Sequence, residues 1–189
     1  MQGGIVSDQR VISVFGSSSA QVGTEAYEEA RTLGRLLAQA GFVVMNGGYG
    51  GTMEAVSRGA KEGGGQAIGI TTALFDSVRP SANAYIDREI KKPDYLSRLR
   101  HLVEECDGCI ALRGSIGTLT EVCVTWSALQ VGGIKPKPLI LIGNSWRRAI
   151  RTLVSESFIL ERDLSLIHIV LTPEEAIPVL MEKLSQLKR

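Results

Sequence analysis

Gly108-Cys109-Ile110-Ala111-Leu112-Arg113-Gly114-Ser115-Ile116-Gly117-Thr118-Leu119-Thr120-Glu121 holds, in order, a short apolar run, a glycine-rich turn and the start of an amphipathic stretch. Strand, turn and helix in that sequence make one half of a βαβ unit. The same grammar recurs on both sides. Apolar runs at Val11–Gly16, Phe42–Asn46, Gln66–Ile70, Pro138–Ile142 and Leu166–Val170 are nearly continuous in hydrophobicity, as strands covered on both faces should be. Helical patterns separate them at Thr24–Ala40, Gly51–Glu62, Pro93–Glu105, Thr118–Val131, Trp146–Ser155 and Pro173–Leu187. The expected fold is α/β, a Rossmann-like three-layer sandwich whose mostly parallel sheet is flanked by helices.

Two helices carry start signals. Thr172-Pro173-Glu174-Glu175 reads as a capping box with proline at the first helical position, and Thr118-Leu119-Thr120-Glu121 has the same Thr-x-x-Glu form. Thr71–Lys92 breaks the rhythm: polar and irregular, it reads as a flap over a site or a dimer contact. Neither a repeat nor a linker interrupts the 189 residues, so one domain is expected, with residues 1–9 as a loose tail. A net charge of +1 gives no footprint for nucleic acid or an anionic membrane. No apolar run spans a bilayer and no secretion signal is evident, so a cytoplasmic protein is expected.

Ligands of an open parallel sheet bind where strand carboxyl ends meet helix amino ends. Three such turns are rich in small residues: Gly16-Ser17-Ser18-Ser19-Ala20, Gly47-Gly48-Tyr49-Gly50-Gly51, and Arg113 to Thr118. Glycine lets backbone amides approach a ligand, and a helix amino end offers unpaired N–H groups with partial positive charge. Phosphate suits both, so a phosphorylated small molecule, a nucleotide above all, is the expected ligand. The lysine of a P-loop is missing and the first turn lacks GxGxxG spacing, which argues against ATP hydrolysis and hydride transfer.

Arg98 and Glu121 fall on helices whose amino ends reach that same rim. Their plainer readings are a solvated helix arginine and the capping partner of Thr118. Cys106 and Cys109 have CxxC spacing, which fits redox or metal chemistry. Cys106 closes a helical pattern while Cys109 lies in a strand, so they are expected to point apart as ordinary buried cysteines. No metal and no cofactor are expected. Lys135 and Lys137 flank Pro136 in what reads as a solvated loop, His101 reads as a surface residue and His168 as core or strand edge, and Trp126 and Trp146 read as packing. Tyr49 could stack on a base or cover the core edge.

Gly114 to Glu121 resembles the PGGxGTxxE motif of the LONELY GUY (LOG) family of cytokinin riboside 5′-monophosphate phosphoribohydrolases. Val14–Ser19 is similar to that family's first strand and Gly-Ser-Ser turn, and Asn46 to Met53 resembles its GGGxxGLM. Arg98 falls at the spacing of the family's catalytic arginine, and the likeness covers roughly residues 11–160. The resemblance implies Arg98 and Glu121 as the catalytic pair. It also implies a nucleotide site from Gly16, Ser17, Ser18, Gly47 and Gly48, and a phosphate site from Arg113, Gly114, Ser115, Ile116, Gly117 and Thr118. The implied reaction is hydrolysis of the N-glycosidic bond of AMP-like nucleotides, by a homodimer whose contact is the apolar face of Thr118–Val131. Arg113 stands where the family has proline, Ser115 where it has its second glycine, and Thr120 where it commonly has glutamate.

The main rival is a non-catalytic carrier or sensor, since wider relatives with this fold include molybdenum-cofactor carrier proteins. Some LOG relatives carry a lysine decarboxylase label. That chemistry needs a pyridoxal-linking lysine, and none sits at a glycine turn.

Overall fold

The computed structural model describes residues 9–78, 81–156 and 159–187. The expected tail, residues 1–9, lies outside them apart from Gln9. The strands are β1 (Val11–Phe15), β2 (Val43–Asn46), β3 (Ala67–Thr72), β4 (Arg88–Lys92), β5 (Gly108–Ala111), β6 (Leu139–Ile142) and β7 (Ile167–Val170). The helices are α1 (Glu25–Gln39), α2 (Thr52–Glu62), α3 (Tyr95–Glu104), α4 (Ile116–Gln130), α5 (Asn144–Glu156) and α6 (Pro173–Gln186). One sheet, in the order β4-β3-β2-β1-β5-β6-β7, joins all seven strands in parallel. The expected sandwich is the observed one, with every strand pair parallel.

Each inner strand divides its side chains between two layers because successive residues point to opposite faces. Ile12, Val14, Val44, Ile110 and Ile140 pack with Leu33 and Leu37 of α1, Val56 of α2 and Leu180 of α6. Phe15, Met45, Cys109, Ala111 and Leu141 pack with Leu102 of α3, Val122 and Trp126 of α4, and Trp146 of α5.

β4 corrects the sequence reading, which left residues 88–92 in an irregular connection. Arg88-Glu89-Ile90-Lys91-Lys92 is an edge strand paired in parallel with β3. Its mostly exposed, charged side chains hide the apolar pattern of a strand, and such charges keep an unpaired edge from recruiting other chains.

The helix starts are mixed. The Thr172 Oγ1 accepts from the Glu175 amide at 3.4 Å and the Glu175 carboxylate accepts from the Leu171 amide at 2.8 Å, close to the expected reciprocal cap. The other expected cap is absent: α4 begins at Ile116, with Ser115 as N-cap, so Thr118 lies inside the first turn and Glu121 in the second. The glycine turn ends earlier than the Thr-x-x-Glu pattern suggests, because Ile116 and Gly117 are already helical.

Candidate functional site

In the sheet, β1 stands between β2 and β5, so its chain leaves toward one layer while that of β5 leaves toward the other. A crevice opens at such a reversal of strand order. The turns after β1, β2 and β5 all end on this carboxyl edge.

The first two turns are tied together. The Thr52 amide and Oγ1 both donate to the Ser17 carbonyl, at 2.8 and 3.0 Å. The second turn is shaped by buried Asn46, whose Oδ1 accepts from the Gly48 amide at 2.8 Å while Nδ2 donates to the Ser57 hydroxyl at 2.8 Å. Asn83, from the connection between β3 and β4, donates through Nδ2 to the carbonyls of Gly48 (3.1 Å) and Tyr49 (2.9 Å). Part of the segment read as a flap therefore does reach the rim. Ser18, Tyr49, Gly50, Ser81, Ala82 and Asn83 line a cavity of about 250 Å³ there.

Tyr49 is buried, its hydroxyl accepting from the Thr72 amide at 3.0 Å and its ring edge-on to Phe75 at 5.8 Å. Of its two sequence readings, the structure supports covering the core edge. Asn46 enters the sequence reading only as the first residue of the stretch that resembles GGGxxGLM, with no role assigned, and Asn83 not at all. For Asn46 the available signal was a polar residue closing an apolar run just before paired glycines; Asn83 offered none.

Arg98 is not a solvated helix residue. It is 8% exposed, and its guanidinium donates from Nε to the Ile70 carbonyl at 2.7 Å and from Nη2 to the Gly47 carbonyl at 3.1 Å. Its Cζ lies 5.7 Å from the centroid of the Tyr49 ring, a cation–π contact. A buried arginine needs such partners, since an unpaired charge in that setting is costly. Helix α3 packs against α4, which carries Glu121. Burial pushes the Glu121 carboxyl up to about 7, and the nearby Arg98 charge lowers it without overcoming that. A carboxyl poised at that level suits proton transfer near neutral pH.

The third turn, residues 113–116, is exposed and borders a cavity of about 360 Å³ with Leu119, Ser145, Trp146 and Ala149. The Trp146 indole donates to the Leu112 carbonyl at 3.1 Å and fixes the strand end that feeds the turn. Thr118 is 2% exposed, and among the described residues its Oγ1 has no hydrogen-bond partner. The Thr118 side chain sits where a Cβ on Gly114 would be, so only glycine fits beneath it. Arg113 is exposed, and its charge acts on partly buried Glu29 of α1, whose carboxyl burial otherwise raises. Arg98 and Glu121 are not among the residues lining either cavity.

The structure thus brings Gly16, Ser17 and Ser18 to the turn of Gly47 and Gly48, Gly47 to Arg98, Arg98 within electrostatic reach of Glu121, and Glu121 onto the helix of Gly114–Thr118. His101 is partly buried, its imidazole pulled down by burial and by the Lys92 and Arg88 charges against Glu105, and His168 is a partly buried edge-strand residue.

Residues 9–176 match the model of the SLOG cluster4 family. An uncharacterized protein of Archaeoglobus fulgidus is 31% identical over 133 residues, 70% of this chain and 83% of its own. A cytokinin riboside 5′-monophosphate phosphoribohydrolase of Rhodococcoides fascians is 27% identical over 137 residues, 71% of this chain and 68% of its own. Among solved structures, the molybdenum cofactor binding protein of Rippkaea orientalis superposes with a TM-score of 0.72 at 25% identity, covering 92% of this chain and 96% of that one.

Proposed function

The chain belongs to the SLOG cluster4 family, and from that membership we propose that it hydrolyses the N-glycosidic bond of AMP-like nucleoside 5′-monophosphates. The products are a free adenine-type base and ribose 5-phosphate. One observation carries the reading: Glu121, raised to about 7 beside the buried guanidinium of Arg98, stands one turn from the amino end of α4. The phosphoribohydrolase name of the Rhodococcoides fascians relative agrees with it.

In this reading the amides from Gly114 to Thr118 hold the 5′-phosphate, helped by the Thr118 hydroxyl and the Arg113 charge. The turns at Gly16–Ser18 and Gly47–Gly48 receive the nucleoside. Cleavage breaks the bond from sugar C1′ to the base, and the electron pair leaves with the base, which takes up a proton. Positive charge grows on the sugar, where the Glu121 carboxylate stabilises it and orients the attacking water, accepting its proton. Arg98 polarises the departing base or holds the ribose. Phosphate gripped away from the breaking bond supplies binding energy for positioning.

A homodimer through α4 completes the proposal. Beside its buried residues, that helix leaves Ile116, Leu119 and Val124 exposed, with Val131 exposed at its C-cap, and an exposed apolar face of a helix is a candidate for association.

A second reading, a carrier of a phosphorylated ligand such as molybdenum cofactor, is favoured by the likeness to the Rippkaea orientalis protein. Incubation with AMP, followed by chromatography of the bases, separates the two. Adenine released by the protein and lost in Glu121→Ala supports hydrolysis; tight AMP binding without adenine supports the carrier. Among the described residues no helix is long and apolar enough to cross a membrane.

A further inference from the structure

Cys106 and Cys109 do not point apart. Cys106 lies just past the end of α3, Cys109 is the second residue of β5, and their Sγ atoms are 3.5 Å from each other. Cys109 is buried while Cys106 is partly exposed. Lys137 stands over the pair, and its surroundings are not those of a solvated loop. It is 7% exposed, and its Nζ donates to the carbonyls of Val103 (2.9 Å), Glu104 (2.9 Å) and Cys106 (2.7 Å) and to the Cys106 Sγ at 3.5 Å.

The carboxyl end of a helix gathers partial negative charge and disfavours a thiolate. A buried ammonium on the carbonyls of that helix end opposes that local field, with the Cys106 Sγ itself 3.6 Å from the Leu102 and Val103 carbonyls. The Cys109 hydrogen bond, with the Lys137 charge adding to it, pulls the Cys106 thiol below its ordinary range despite burial. Cys109 is pushed up by its partner and by burial. One thiol, on a partly exposed residue, is thus lowered, and the other is buried in contact with it, the division of labour of attacking and resolving thiols.

We propose that Cys106 and Cys109 are a redox-active dithiol at the amino edge of the sheet, oxidised to an intramolecular disulfide by low-molecular-weight disulfides such as oxidised glutathione. The Cys106 thiolate attacks one sulfur of the small disulfide, whose S–S bond breaks to release one glutathione thiolate. Cys109 then gives up its proton and attacks the Cys106 Sγ, displacing the second glutathione. Two protein thiols are oxidised, one small disulfide is reduced to two thiols, and the protons pass to the leaving groups. The inference stands apart from the hydrolase reading, because the sheet separates this edge from the glycine turns.

The wild-type protein tests it, with no variant required to fold. It is equilibrated in buffers of graded oxidised to reduced glutathione, quenched in acid, alkylated and digested with trypsin. Cleavage after Arg100 and Arg113 leaves both cysteines in one peptide, His101–Arg113. That peptide is expected to lose two hydrogens and escape alkylation as the buffer becomes oxidising. In Cys109→Ser a glutathione adduct should accumulate at Cys106, and in Lys137→Met oxidation should slow about tenfold. Alkylation of both cysteines throughout the series, or glutathione adducts on exposed Cys123 alone, would overturn the proposal.

Discussion

Arg98 occupies the space that a side chain on Gly47 would need. A Cβ there would run into the Arg98 Nη2, the atom that donates 3.1 Å to the Gly47 carbonyl. With the Ile70 carbonyl at 2.7 Å and the Tyr49 ring at 5.7 Å, the guanidinium is held from three sides. The second glycine turn is therefore a seat for an arginine on α3, whatever else it receives. Through α3 that seat is linked to Glu121 on α4.

Gly47→Ala should expel Arg98 from this seat. The loss of packing and of two hydrogen bonds to a buried cation is expected to cost about 2–4 kcal/mol, read by urea denaturation. Adenine release from AMP should fall about a hundredfold or more as Arg98 moves. Stability and turnover equal to the parent would show that the guanidinium is not fixed by this contact.

Glu121 sets a pH dependence in both activity and stability. Turnover of AMP should climb as pH rises toward about 7 and flatten above it, as the carboxyl ionises. Stability runs the other way. The folded carboxyl, near 7, holds its proton where the unfolded one, near 4.5, has lost it, so the folded state is progressively destabilised across that window. Glu121→Gln removes the penalty. It should be inactive, close to the parent in stability at pH 4.5 and more stable at pH 8 by about 1–3 kcal/mol, checked by denaturation at both pH values. A parent more stable than the variant at pH 8 would mean that its charge is well solvated.

Thr118→Val separates binding from folding. The Oγ1 is buried without a partner among the described residues, so replacing it with a methyl should leave stability unchanged or raise it by about 1 kcal/mol. AMP affinity by calorimetry should drop about tenfold, with adenosine affinity unmoved, if that hydroxyl reaches the phosphate. Equal losses for both ligands would place its action at the nucleoside.

Lys137→Ala should destabilise the fold by about 2–4 kcal/mol, since it strips the end of α3 of three charge-assisted hydrogen bonds. A solvated loop lysine would change thermal unfolding very little. The melting curve of this variant decides between the two.

The architecture was legible because six apolar runs and six amphipathic stretches alternate without ambiguity, and the helix boundaries fall within two residues of those read from sequence. β4 escaped because an edge strand need not be apolar: Arg88, Glu89, Lys91 and Lys92 leave Ile90 as its only apolar residue. Thr118 and Glu121 matched a capping pattern one helical turn too late: the Thr-x-x-Glu spacing marks the start of α6 at Thr172 but recurs inside α4, whose N-cap is Ser115. The cysteine contact was hidden for a related reason. Opposite secondary structures for Cys106 and Cys109 suggested divergent side chains, but the tight link through Asp107 folds one sulfur back against the other. Lys137 is three-dimensional in origin, its partners lying 31 to 34 positions away. By contrast, the rim that gathers Arg98, Glu121 and the glycine turns followed from connectivity, because helices after parallel strands begin on one edge.

The most direct test is a crystal structure of Glu121→Gln soaked with AMP, where the inactive variant retains the intact nucleotide. The expected density places the phosphate within hydrogen-bonding distance of the amides from Gly114 to Thr118 and the ribose C1′ against the side chain at position 121. A nucleotide bound elsewhere, or Arg113 folded across the turn with the phosphate excluded, would contradict the assignment.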